Sequence, residues 1–79
     1  MNVSIEEAIK LLAIRSDKSL AGIGRDIGMS PANLNNMISR NSVRGRLLAT
    51  IASVCGYKLV LVPKDTEVDG IEIGGDVDG

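Results

Sequence analysis

The sequence predicts an all-α fold of four short helices, followed by a C-terminal β-strand or hairpin used for dimerisation. Three observations carry this expectation. Apolar residues recur with helical spacing from Ile5 to Cys55. Serines precede the periodic stretches at Ser4, Ser19 and Ser30, where a hydroxyl can accept from an unpaired N–H of the first turn, and Gly28 and Gly56 follow two of them as stops. The run Tyr57–Val62 (YKLVLV) then reads as a strand by β-propensity and length, and Pro63 ends it.

Taken in order, Ser4-x-x-Glu7 is a capping box, and Glu6 and Glu7 suit the positive end of a helix dipole. The first helix should run from about Ile5 to Arg15, with Ile5, Ala8, Ile9, Leu12 and Ala13 as its core stripe. Leu11 and Ile14 widen that stripe, as in a helix packed on two sides. Residues 16–18 form a loop. Leu20, Ile23 and Ile27 mark a second helix. Gly28 ends it, because glycine takes the left-handed conformation without steric cost. Met29 tucks inward, Ser30 caps a third helix, and Pro31 stands in its first turn, where a missing N–H costs nothing. Leu34, Met37 and Ile38 form one face of that helix; Asn33, Asn35, Asn36, Ser39 and Arg40 form the other. A fourth helix, about Val43 to Cys55, buries Leu47, Leu48, Ile51, Ala52 and Cys55. The segment Ile71–Ile73 follows the turn dipeptide Asp69–Gly70. A lone strand at 57–62 leaves backbone groups unpaired, so it should pair with its copy across a two-fold axis, fold back on Ile71–Ile73, or both. The chain thus divides into 1–56, a helical domain; 57–73, the strand or hairpin; and 74–79, a disordered acidic tail.

Composition sets limits. A chain of 79 residues buries only about 60% of its unfolded surface and gains from dimerisation. Tyr57 is the only aromatic residue, so the core is aliphatic. One cysteine and no histidine exclude an internal disulfide and argue against zinc; Cys55 reads as a small buried hydrophobe. The absence of a long apolar run argues against a membrane span, and a cytoplasmic location is expected. The net charge of −1 hides an asymmetry: residues 1–64 carry nine Lys/Arg against four Asp/Glu, and residues 65–79 carry six acids and no base. The globular part therefore suits a polyanion.

The stretch Ser19–Arg40 resembles the helix-turn-helix of phage repressors, Cro and the Xre-type bacterial regulators. Ile23–Gly24, Ile27–Gly28–Met29, Leu34 and Met37 fall at that motif's buried positions, with a small residue, Gly24, where the second helix crosses close. The small residue is usually alanine in that family, and a polar residue usually opens the first helix, where Leu20 stands. The likeness covers about residues 4 to 62, and a GYKLVLVPK-type ending is similar to strands that dimerise Cro-like proteins. It implies a lambda-repressor-like fold and a homodimer on double-stranded DNA, with the second helix of the motif in the major groove. Ser30, Pro31, Ala32, Asn33, Asn35 and Asn36 would then meet base edges, since an asparagine amide pairs with adenine N6 and N7 and an apolar group meets the thymine methyl. Lys18, Arg25, Ser39, Arg40, Arg44 and Arg46 would contact phosphates. Tyr57, Leu59, Val60, Leu61 and Val62 would form the dimer seam. The function implied is sequence-specific repression from a pseudo-palindromic operator, with no cofactor.

The alternative is an antitoxin or phage anti-defence protein whose helix-turn-helix and acidic tail bind a partner protein, a toxin or a defence nuclease, since such a tail can also dock on a basic surface. Enzymatic patterns are thin. Gly22-x-Gly24 with Gly28 lacks the preceding strand of a dinucleotide loop. Asp65-x-Glu67-x-Asp69-Gly70 with Asp76 departs from a calcium loop at the third, eighth and twelfth places and has no flanking helices. No catalytic residue and no metal ligand is expected.

Overall fold

A computed structural model of the chain describes residues 2–73. It is mostly helical: α1 (Ile5–Arg15), α2 (Leu20–Ile27), α3 (Pro31–Ser39) and α4 (Gly45–Val54), with two two-residue strands, β1 (Asn2–Val3) and β2 (Glu72–Ile73). The expected caps form. Ser4 Oγ accepts from Glu7 N at 3.1 Å, and Glu7 Oε1 accepts from Ser4 N at 3.1 Å. These bonds favour the ionised carboxylate and hold Glu7 below its ordinary value. Ser19 and Ser30 cap α2 and α3 through the backbone N–H groups of Gly22 and Asn33.

All four helices end in the same way. After α2, Met29 N donates to Gly24 O at 2.7 Å and Gly28 N to Arg25 O at 3.3 Å, with Gly28 at φ 79°. This is a Schellman closure, which satisfies carbonyls that the helix leaves unpaired. Lys18 N to Ala13 O, Ser42 N to Met37 O and Tyr57 N to Ala52 O repeat it for α1, α3 and α4. The left-handed residue is Asp17 after α1, Asn41 after α3 and Gly56 after α4. Only the two glycine stops were expected. Asp17 and Asn41 belong to the few residue types that tolerate this conformation.

The core takes one fully buried side chain from each helix: Ile9, Ile23, Leu34 and Ile51. Leu12, Ala13, Ile38, Leu48, Ala52 and Cys55 surround them. Gly24 is buried where the turn after α2 folds back. A Cβ built there would lie 2.9 Å from Met29 O. The close approach that requires a small residue is thus to the carbonyl of the turn itself.

Four expectations need correction. Ile14 does not join the core; it is 75% exposed, because no layer covers the outer side of the last turn of α1. The fourth helix begins at Gly45 and not at Val43. Arg44 is its N-cap with an extended backbone and no side-chain cap, and Val43 packs into the core ahead of it. Tyr57–Val62 is not a strand, since no segment among the described residues offers the ladder partner that a strand needs. Nor does this segment form a hairpin with Ile71–Ile73. Glu72–Ile73 instead pairs in parallel with Asn2–Val3, where buried Val3 and half-buried Ile73 close the open side of α1. The segment 74–79, expected to be disordered, lies outside the described residues.

Two opposite backbone substitutions test this account. Gly24→Ala should lower stability by about 1–3 kcal/mol through overpacking against a carbonyl, despite its better helix propensity. Asp17→Gly and Asn41→Gly should each raise it by about 0.5 kcal/mol by relieving the left-handed strain. Thermal melts read both, at about 4–8 °C per kcal/mol for a domain of this size. A Gly24→Ala variant with an unchanged Tm would contradict the close approach.

Candidate nucleic-acid interface

The turn Gly28–Ser30 sets α3 on the molecule. Its inward side is Leu34 and Ile38, with Met37 half-buried beside them. Helical periodicity then turns Ala32, Asn36 and Ser39 away from the core, with Asn33 and Asn35 on its two flanks. Ser30, Pro31, Ala32, Asn33, Asn35 and Asn36 are all exposed. Among the described residues, the side-chain amides of Asn33, Asn35 and Asn36 make no hydrogen bond. Three amides with eligible donors and acceptors therefore stand toward solvent on a helix whose register is locked at both ends. Asparagine is a poor helix former, so the three weaken α3 locally while offering hydrogen-bonding capacity outward.

Basic residues border this face. Asn33 and Asn36 lie on one stripe of α3, at i and i+3, and Arg40 caps the helix at the end of the same stripe. Beyond it, Arg44 and Arg46 stand at the start of α4. They line an open groove of about 390 Å³ whose apolar floor is Ile27, Met37 and Leu47. Met37 is one turn beyond Asn33 on α3, so this groove adjoins the amide face. Ser39, Arg40, Arg44 and Arg46 are exposed. Among the described residues, none of these three arginines has an ion-pair partner. Arg25, near the end of α2, is likewise exposed and free of an ion pair among those residues.

Lys18 differs from the others. Its Nζ donates to Asp26 Oδ2 at 2.8 Å, tying the loop after α1 to α2. The hydrogen bond to Asp26, and then its negative charge, hold the ammonium above its ordinary value. An anion approaching Lys18 must compete with that carboxylate.

The residues expected at a dimer seam lie elsewhere. Tyr57 is packed against the core, whereas Leu59, Val60, Leu61 and Val62 are exposed, Leu61 at 99%. Four consecutive apolar residues thus stand in water outside any helix or sheet of the described chain. Cys55 is buried, as expected. No group of three or more His, Cys, Asp or Glu side chains able to hold a metal occurs among the described residues, and no helix among them is long and apolar enough to cross a membrane. Comparison with protein-family models, with curated proteins and with solved structures finds no match to the chain.

The Lys18–Asp26 pair gives a pH prediction. Its contribution is present below the ordinary lysine value of 10.5 and fades as pH rises through the raised value of the folded state. Asp26→Asn should return Lys18 to the ordinary range in a titration followed by NMR at its ε-carbon. An unchanged Lys18 titration would show that the pair does not persist in solution.

Proposed function

We propose that this chain is a sequence-specific DNA-binding repressor of the helix-turn-helix type, acting as a homodimer on a pseudo-palindromic operator. The observation that carries the reading is the outward, unbonded amide face of α3, held by the Gly28–Ser30 turn and bordered by Arg40, Arg44 and Arg46. The division of labour follows from the chemistry. Asn35 and Asn36, with Asn33 beside them, read base edges in the major groove, each bidentate pair being worth about 1–3 kcal/mol of discrimination. Ser30, Pro31 and Ala32 lie at the leading end of the helix, where a thymine methyl meets Ala32 or the Pro31 ring. The arginines and Ser39 bind phosphates, fixing the register without reading sequence. Lys18 joins them only after release from Asp26.

The dimer is proposed to form through residues 57–62. Their exposed run is costly in a monomer, at about 25 cal/mol per Å² of apolar area left in water. An antiparallel seam with a second copy pairs the open backbone and covers Leu59 and Leu61 on one side, Val60 and Val62 on the other. Two copies related by a two-fold axis then present two α3 helices to half-sites about one helical turn apart. Repression follows by occlusion of the operator.

The acidic stretch supports a second reading. Asp65, Glu67 and Asp69 are exposed and have no ion pair among the described residues. A basic partner protein, such as a toxin or a defence nuclease, has the complementary chemistry. A gel-shift on duplexes from the chain's own upstream region separates the two, since a pure protein inhibitor retards none.

Asn35→Ala and Asn36→Ala should each lose about 1–3 kcal/mol of operator discrimination while the melting curve is kept. Arg44→Ala should weaken operator and random duplex alike and reduce the slope of log K against log salt by about one. Equal losses on both duplexes for the Asn variants would refute the placement of α3. For the dimer, Leu61→Asp should give a monomer in sedimentation at concentrations where the parent is dimeric. A dimeric Leu61→Asp chain would rule out the seam.

A further inference from the structure

We propose that the duplex this chain takes carries A·T pairs, and no G·C pair, at the centre of each half-site, and that α3 reads adenine there through N6 and N7. The inference rests on the DNA-binding reading above and narrows its substrate to one class of sequence.

The first observation is what the outward face lacks. From Gly28 to Ser39 the chain has no Arg, Lys, Asp, Glu or Gln. In the major groove guanine presents two acceptors, O6 and N7, which the paired donors of an arginine or lysine read. Cytosine presents the N4 donor, which a carboxylate reads. Neither kind of reader stands on α3 or on the turn before it. The second is what the face offers instead. An asparagine amide sets N–H donors beside a carbonyl acceptor, the complement of adenine N7 and N6. Against guanine the same amide would bring its oxygen to O6, acceptor against acceptor. The side chains of Asn33, Asn35 and Asn36 are exposed and make no hydrogen bond among the described residues. A base edge therefore takes them without breaking a bond inside the protein.

The third is spacing. Asn33 and Asn36 share a stripe of α3, and their backbones are separated by a rise of about 4.5 Å along the axis. That is close to a base step of about 3.4 Å, so the two amides meet neighbouring pairs. Asn35 stands on the opposite flank. Ala32 lies three residues before it, exposed, at the leading end of the helix. Its methyl group suits the methyl of thymine, which a G·C pair does not have. Arg40 comes one turn after Asn36, about 6 Å further along the axis, beyond the amides and at the phosphates.

The full chain is used to select from a random pool of duplexes about 24 bp long, enough for two half-sites one helical turn apart, at about 150 mM salt. Affinity is then measured for the selected duplex carrying single changes. Each selected half-site should hold about two or three successive A·T pairs. Placing 7-deaza-adenine at those pairs replaces the N7 acceptor by C–H and should lower affinity about fivefold or more. In Asn36→Ala one of those positions should cease to matter. An inosine·C pair keeps the minor groove of A·T but shows guanine's acceptors in the major groove, so it should bind as weakly as G·C. G·C pairs at the centre of the selected half-sites, undiminished affinity with 7-deaza-adenine, or inosine·C pairs that bind as A·T each overturn the inference while leaving the chain a DNA-binding protein. A chain that enriches no duplex from the pool overturns the DNA-binding reading, and this inference with it.

Discussion

The structure depends on four aliphatic side chains meeting at one point: Ile9, Ile23, Leu34 and Ile51, one from each helix and none exposed to solvent. With no Phe or Trp in the chain, the core is filled by aliphatic side chains. Gly24 lets the turn after α2 fold back onto that helix. Truncating any of the four opens a cavity in the shared core, a change of about 2–5 kcal/mol in a core of this kind. A domain of this length has a total stability of only about 4–12 kcal/mol. The margin explains why helix ends are finished so thoroughly. Three serine caps and four Schellman closures satisfy groups that short helices otherwise leave to water.

That rigid centre matters for the proposed function because α3 has only nine residues, too short to be stable by itself. Its outward amides are held in place from below, by Leu34 and Ile38, and from both ends, by Ser30 and by the closure at Asn41. Recognition of a base edge tolerates little rotation of the helix that carries the side chain. Apolar burial on one side of α3 thus serves the polar chemistry on the other. The arginines are arranged by the same means: Val43 anchors the connection in the core, and Arg44 and Arg46 are left at the start of α4 without an ion pair among the described residues.

Two features outside the helical core share a cause. The exposed run 59–62 and the parallel pairing of β2 with β1 both follow from the path of the chain after α4. It leaves the core at Tyr57, makes a turn at Pro63–Thr66, and returns to the beginning of α1. The return uses Val3 and Ile73 to close one side of α1 but leaves Ile14 and Leu59–Val62 in water. A monomer carries that exposure at a cost, which is why a second copy is the natural cover in the reading proposed here.

The helices were legible in the residues because their signals are local. Ser4 with Glu7, Ser30 with Pro31, and the apolar spacing about Ile9, Ile23, Leu34 and Ile51 each act within a turn or two, and the bounds of α1, α2 and α3 follow from them. The candidate recognition face was legible for the same reason: once Leu34 and Ile38 point inward, Asn36 must point outward, with Asn33 and Asn35 on the flanks. Local pattern had no hold on the rest. Asp17 and Asn41 are left-handed because the chain must reverse there, and such residues also occur in ordinary loops. Lys18 finds Asp26 across a loop. Ile14 carries a core residue's chemistry but faces no neighbour. Tyr57–Val62 has a strand's composition, yet a strand exists only where a partner lies alongside, and within this chain the pairing went to Asn2–Val3 and Glu72–Ile73. Cap chemistry and periodicity are properties of neighbouring residues, so the sequence determined them; pairing, exposure and charge partnership depend on which distant segments meet, so only the tertiary structure could decide them.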